Sequence, residues 1–191
     1  MNESIFIAVI GIVGTLAGTV LGWLLNNISR HGELKGFVVK WDEKFELNET
    51  GLMVFAPSFD KAEVYSYSLA LNVYNSSSDT RIMQDFKIEF LSGRTVLLTD
   101  APMDTDSVRA SGPISFYSEM ETLNVPPKSV VALHLNGGFW RKDREGFDKV
   151  NKAASVRLAY KDEKGRDRYV GIDGPTEGAR FDKARLATDG N

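Results

Sequence analysis

Between Ile5 and Leu25 the chain reads IFIAVIGIVGTLAGTVLGWLL, a run without a single charged side chain. At about 1.5 Å rise per residue a helix of this length is roughly 31 Å long, close to the ~30 Å hydrocarbon core of a bilayer. Such a segment is poorly suited to the half-buried surface of an ordinary domain, because only Thr15 and Thr19 interrupt its apolar surface. It also differs from a cleaved signal peptide. Met1-Asn2-Glu3-Ser4 carries no Lys or Arg, and Trp23-Leu24-Leu25-Asn26-Asn27 offers no Ala-x-Ala site. The apolar run is also longer than the roughly 7–15 residues of a signal-peptide core. The run therefore predicts one N-terminal transmembrane α-helix, with the lipid bilayer as its first partner.

No Lys or Arg precedes this run, whereas Arg30, Lys35 and Lys40 follow it closely. The positive-inside rule then predicts the N-terminus outside and the remainder of the chain in the cytoplasm. Gly14, Gly18 and Gly22 recur every four residues and share one face of the helix. Stripes of small residues let two helix backbones approach closely. The stripe points to a homo-oligomer or to a second membrane protein, although glycine is also common in membrane helices for no such reason. Trp23 suits the aromatic belt at the membrane interface.

The chain of 191 residues leaves room after the anchor for one domain with its own core. All 23 basic residues and every acidic one except Glu3 lie in that part, so it is nearly neutral. That balance argues against a nucleic-acid partner, which would call for a concentrated basic surface. Cysteine is absent, which excludes disulfides, thiol nucleophiles and thiolate metal sites, and fits a reducing compartment.

Past a polar connector at residues 28–34 the periodicity becomes two. From Glu63 to Asn75, Tyr65, Tyr67, Leu69, Leu71 and Val73 alternate with smaller or polar residues, the pattern of a strand with one buried face. Phe86, Ile88 and Phe90 alternate with Lys87 and Glu89 in the same way. Further strands are expected at Gly36–Trp41, Leu52–Phe55, Arg94–Leu98, Ser129–Leu135, Ala154–Tyr160 and Arg168–Ile172. The last two would be joined by a hairpin turn at Lys161–Gly165. Asp100–Ser118, polar and containing Pro102 and Pro113, reads as a long loop. Asp143–Ala153 reads as a short helix, with Phe147 and Val150 on one side.

About eight short strands without alternating helices predict a mainly β fold, an antiparallel sandwich over residues 35–173. The architecture resembles immunoglobulin-like sandwiches, without the Cys…Trp…Cys landmark of true immunoglobulin domains. Residues 1–27 are the expected anchor. Residues 174–191, with few apolar side chains, are expected to be a flexible tail with a helical turn around Phe181–Leu186.

No reactive constellation emerges. His134 should face outward from its strand, and His31 stands alone beside the membrane. Ser58-Phe59-Asp60-Lys61 matches Ser-x-x-Lys but lacks the companion elements of penicillin-recognising enzymes. Asp104-x-Asp106 starts like a calcium loop without its glycine or closing glutamate. Gly137-Gly138 is not followed by the Lys-Ser/Thr of a phosphate loop. No catalytic residue, metal ligand or cofactor is expected.

The segment Phe139, Trp140, Arg141, Lys142 and Arg144 is the candidate interaction patch, since aromatics and Arg anchor interfaces. The competing expectation is that Phe139 and Trp140 fold back to plug the end of the sandwich. Together these features predict a non-enzymatic interaction module or accessory subunit of a membrane complex. The alternative is a membrane-tethered sensor that binds a ligand or lipid in a pocket between 100–118 and 137–153.

Overall fold

The computed structural model describes the backbone of residues 3–30, 32–111, 114–142, 144–173 and 179–189. Within those ranges the side chains of residues 3–10, 28–30, 111, 114–115, 144 and 186–189 lie outside the description. An N-terminal helix, α1 (Glu3–Arg30), precedes the strands β1 (Leu34–Glu49), β2 (Leu52–Phe55), β3 (Val64–Asn75) and β4 (Arg81–Ser92). Then follow β5 (Thr95–Asp100), β6 (Met103–Ser111), β7 (Ile114–Glu119), β8 (Thr122–Val125) and β9 (Val130–Trp140). A short helix α2 (Arg144–Lys152) leads to β10 (Ser155–Asp162), β11 (Asp167–Asp173) and a last helix α3 (Arg180–Asp189).

Two antiparallel sheets face each other. One has the order β2-β1-β3-β9-β6-β7, and the other β11-β10-β4-β5 with β8 also on β4. The period-two pattern of β3 is met: Tyr65, Tyr67, Leu69, Leu71 and Val73 are all buried. They pack with Leu133 and Leu135 of β9 against Ile88 and Phe90 of β4 and Val156 and Leu158 of β10. Gly36 marks where β1 meets the second sheet, because a Cβ there would press into the Val170 side chain.

Two bulges re-phase strands whose alternation would otherwise fail. On β1, Val38 pairs with Leu71 and Lys40 with Ala70, leaving Val39 as the extra residue. The inward set therefore switches from Leu34, Gly36 and Val38 to Trp41, Glu43, Phe45 and Leu47. On β4, Ala159 pairs with Lys87 and Lys161 with Gln84, so Asp85 and Phe86 together oppose Tyr160. Asp85 takes φ 54° there, a left-handed conformation that Asp tolerates better than most residues. Both Met83 and Phe86 consequently face the core.

One end of the sandwich is closed by rings from distant parts of the chain. Phe45 sits 4.9–5.9 Å, centroid to centroid, from Phe59, Tyr65, Phe147 and Phe181. Phe147 and Val150 come from α2, which forms where the i, i+3 apolar pair required it. Phe181 comes from α3, where the helical turn expected around Phe181–Leu186 is present but docked, which corrects the expectation of a flexible tail. Arg180, Phe181 and Ala184 are buried, so three residues dock a helix that composition alone could not stabilise. Residues 174–178 and 190–191 of that expected tail lie outside the described residues.

A second correction concerns Asp100–Ser118, which forms the β6–β7 hairpin instead of a loop. β6 joins β9 only through Met103↔Asn136 and Asp104↔Leu135. Beyond that the hairpin is a two-stranded arm with no core face, hence no apolar alternation to read. Val108, Phe116 and Tyr117 are exposed on it. The expected connector is also short. α1 runs to Arg30, and Glu33 exchanges hydrogen bonds with Ser76, its N–H donating to Ser76 Oγ at 2.8 Å and its carbonyl accepting from Ser76 Oγ at 2.9 Å.

Among the described residues no helix is long and apolar enough to cross a membrane. The expected span at residues 5–25 is therefore not established by them, since the side chains of residues 5–10 lie outside the description.

Gly138 illustrates how tightly β9 lies on β3. A Cβ there would fall well inside contact distance of the Tyr65 carbonyl oxygen and close to Ser66 Cα, both backbone atoms. Gly138→Ala is expected to lower stability by about 1–3 kcal/mol, the usual cost of overpacking a site that cannot yield. Gly171→Ala, where a Cβ meets nothing within 4 Å, is the matched substitution expected to change little. Thermal unfolding of the two variants measures the difference.

Candidate functional site

The candidate patch at the end of β9 is split by the alternation of its own strand. Phe139 points inward, 6.3 Å from Tyr65 and 6.0 Å from Phe90 between ring centroids. Trp140, the next residue, points out and is 64% exposed. Arg141 is only partly exposed and is already engaged within the chain. Its Nη1 donates to the Phe59 and Ala62 carbonyls at 2.7 and 2.8 Å, and its guanidinium lies 5.6 and 5.7 Å from the Phe59 and Phe147 ring centroids. It thus fastens the turn at Phe59–Lys61 over the aromatic plug. Lys142 is exposed. The side chain of Arg144, at the start of α2, lies outside the described residues. Of the five, Trp140 and Lys142 remain as outward surface, while Phe139 takes the plugging role that was the competing expectation.

Beneath the same end lies a buried ion cluster absent from the sequence reading. Arg180 is fully buried; its Nη1 donates to Glu43 Oε2 at 2.7 Å and to Asp173 Oδ2 at 3.1 Å. The Tyr65 hydroxyl donates to the same Glu43 oxygen at 3.0 Å, and Lys183 Nζ reaches both Asp173 oxygens. Burial, then the Glu43 carboxylate, pushes the Tyr65 hydroxyl well above its ordinary pKa. Burial works against the charge on Arg180, yet Glu43 and its neighbours hold its pKa above the ordinary value. The arrangement is a clamp between β1, β11 and α3.

A smaller polar pair joins β3 and the end of β5. The Tyr67 hydroxyl donates to Asp100 Oδ2 at 2.6 Å, and Trp41 stacks on Tyr67 at 5.2 Å. Burial raises the pKa of both groups, although the hydrogen bond itself favours the Asp100 carboxylate. A Cβ on Gly137 would collide with this pair, which is the structural reason for that glycine.

The other end of the sandwich is where α1 enters, because Leu34 pairs with Asn75 and Tyr74 with Val130. A cleft of about 800 Å³ opens there between the end of α1 and the β10–β11 hairpin. Asp162 organises the hairpin turn. It accepts the Lys164 and Arg166 N–H groups at 3.0 Å, Arg166 Nε at 2.9 Å and Arg168 Nε at 3.1 Å. Burial opposes its charge, but these donors hold its carboxyl well below the usual range. Gly165 supplies φ 71°, so the expected turn at Lys161–Gly165 is present. Arg81 pairs with Glu163 and donates to the Gly32 carbonyl at 3.1 Å, pinning the entry of the chain to this rim. A second cleft, of about 200 Å³, lies beside Arg141. Neither is lined by residues 100–118, where the sensor reading placed its pocket.

The remaining candidates stay apart. Gly14, Gly18 and Gly22 lie on α1, where a Cβ would meet nothing within 4 Å, so nothing in this chain's own packing demands them. His134 faces outward as expected, 3.1 Å from Asp106 Oδ2. His31 lies outside the described residues. Ser58 caps a three-residue 3-10 turn, not the helix that Ser-x-x-Lys chemistry needs. Among the described residues no group of three or more His, Asp or Glu side chains could hold a metal ion.

Comparison with known proteins fits this architecture. Residues 32–172 match the model of the YopI Ig-like domain, a span that begins at the helix-proximal rim and stops before α3. A SPbeta prophage-derived protein of Bacillus subtilis (strain 168), described as the uncharacterized protein YopI, is 23% identical over 159 residues. That alignment covers 82% of this chain and 88% of the relative. A crystal structure of a protein designated ApaA from Bordetella pertussis aligns over 74% of this chain and 89% of its own, at 9% identity. Its TM-score of 0.35 is too low to argue from. Since the matched segment contains every strand of both sheets, the chain belongs to the YopI Ig-like domain family.

Proposed function

We propose that this chain is a single-pass membrane protein whose Ig-like domain acts by non-enzymatic binding, as an accessory subunit or interaction module of a membrane-associated complex. The observation that carries the reading is the surface of α1. Ile12, Val13, Leu16, Val20, Leu21, Trp23, Leu24 and Leu25 are between 44% and 65% exposed and cover the greater part of the helix surface, the remaining side carrying Gly11, Thr15, Gly18, Thr19 and Gly22. Each such side chain forgoes roughly 1.5–3 kcal/mol when left in water. A helix apolar all round requires an apolar surrounding, and the uncharged run in the sequence extends back to Ile5. Its polar groups need no water either: the Thr15 and Thr19 hydroxyls donate to the Gly11 and Thr15 carbonyls at 2.9 Å. The Lys and Arg excess after the helix favours a cytoplasmic domain.

Within that reading the glycine stripe is the association surface of the anchor. Gly18→Leu fills a groove that is open in the single chain, so it should leave the Ig-like domain intact and abolish association. The test is the mass of the full chain purified in gentle detergent, before and after the substitution. A homo-oligomer, or a stoichiometric second polypeptide, that disperses with Gly18→Leu is the expected result. An assembly that survives the substitution, or a monomer in both cases, contradicts it.

A further inference from the structure

We propose that the cleft between α1 and the β10–β11 hairpin binds the headgroup of a zwitterionic, amine-bearing phospholipid. The proposal rests on the membrane-anchored reading of α1.

Three observations lead to it. The first is depth. Asn27 lines the cleft and lies two residues beyond Leu25, the end of the uncharged run. At about 1.5 Å per residue that is roughly 3 Å past the hydrocarbon. The headgroup layer occupies about 5–7 Å on each side of the core, so this wall of the cleft stands at phosphate level. The opposite wall is part of the sandwich, held there because Gly32 and Glu33 are bonded to Arg81 and Ser76.

The second is charge. Arg81, Lys164, Arg166 and Arg168 line the cleft together with Glu33, Asp79, Asp162, Glu163 and Asp167. An anionic headgroup would meet more acids than bases. A headgroup carrying both a phosphate and a primary ammonium meets partners of each sign. Arg guanidinium groups suit phosphate oxygens, and carboxylates suit an ammonium that donates hydrogen bonds. Arg166 and Arg168 share the single carboxylate of Asp162, which aligns two guanidinium groups while neutralising only one. Lys164 stands exposed at the turn beside them.

The third is size. About 800 Å³ lies inside the roughly 300–1,000 Å³ span of small-molecule sites.

The test is native mass spectrometry of the full chain released from nanodiscs containing phosphatidylethanolamine, phosphatidylcholine and phosphatidylglycerol together. Retention of one phosphatidylethanolamine per protomer is expected, with the other two lipids washed away. Lys164→Glu should lose the retained lipid while thermal unfolding stays near that of the parent chain, and Arg168→Gln, which also gives up a bond to Asp162, should lose it too. A chain that inserts into the discs and retains no lipid, or retains all three alike, overturns the headgroup site and leaves the anchor standing. If a variant proves unstable, its loss of lipid is set aside, and selectivity among the three lipids in the parent chain decides. A thermal shift by free O-phosphoethanolamine in lipid-free detergent, without lipid retention in discs, assigns the cleft to a soluble phosphoamine and overturns the lipid assignment. A chain that never inserts overturns the anchor reading itself.

Discussion

Arg180→Ala is expected to destabilise the domain by about 3–5 kcal/mol, the cost of removing one partner from a buried ion pair. The side chain is fully buried and bridges Glu43 and Asp173, whose own side chains are 6% and 15% exposed. Deleting the guanidinium leaves two carboxylates facing each other with little water, and Tyr65 still bonded to one of them. The loss is expected to appear as a large fall in the thermal unfolding midpoint. Amide exchange should accelerate in α3 and around Glu43 first. Arg180→Ala combined with Glu43→Gln should recover part of the loss, because the second substitution removes the stranded charge. A change below about 1 kcal/mol for Arg180→Ala would fall within the range of exposed ion pairs and would mean that α3 does not dock.

Phe45→Ala is the second substitution expected to have a large effect, again about 3–5 kcal/mol for a buried aromatic truncated to alanine. Phe45 is the hub of the plug. Its ring meets rings from β3, α2, α3 and the turn after β2, so its loss leaves a cavity shared by four elements. The matched substitution is Phe116→Ala on the arm, where the ring is 56% exposed. A change within about ±0.5 kcal/mol is expected there, as for ordinary surface positions. Similar losses at the two positions would mean that the rings do not form one core.

Much of the sandwich is legible in the sequence because its central strands bury one face. β3, the second half of β4 and β10 carry alternating side chains, and their partners across the core do the same. The pattern fails where local geometry inverts it. Val39 bulges out of β1 and reverses the phase, so the stretch from Asp42 to Glu49 does not continue the pattern of Gly36–Trp41. β6 and β7 have no second sheet beneath them for most of their length, and a strand exposed on both faces has no reason to alternate. β8 has four residues and too short a signal. α3 is hidden for a different reason. Its docking depends on a charge, Arg180, that is held inside by Asp173 and by Glu43, the latter 137 positions earlier in the chain.

The candidate sites divide along the same line. The outward turn of Trp140 and the inward turn of Phe139 follow from their being consecutive on a strand. The anchoring of Arg141 to the Phe59 and Ala62 carbonyls depends on a turn far away in sequence. The cleft beside α1 is equally non-local, since it gathers residues from four separate segments between Asn27 and Tyr169.

The central claim, an Ig-like domain fixed to a membrane by α1, is tested most directly by alkaline carbonate extraction of membranes from cells producing the full chain. The account predicts that the protein stays in the sedimented membranes and is released only by detergent. Release into the carbonate supernatant would contradict it.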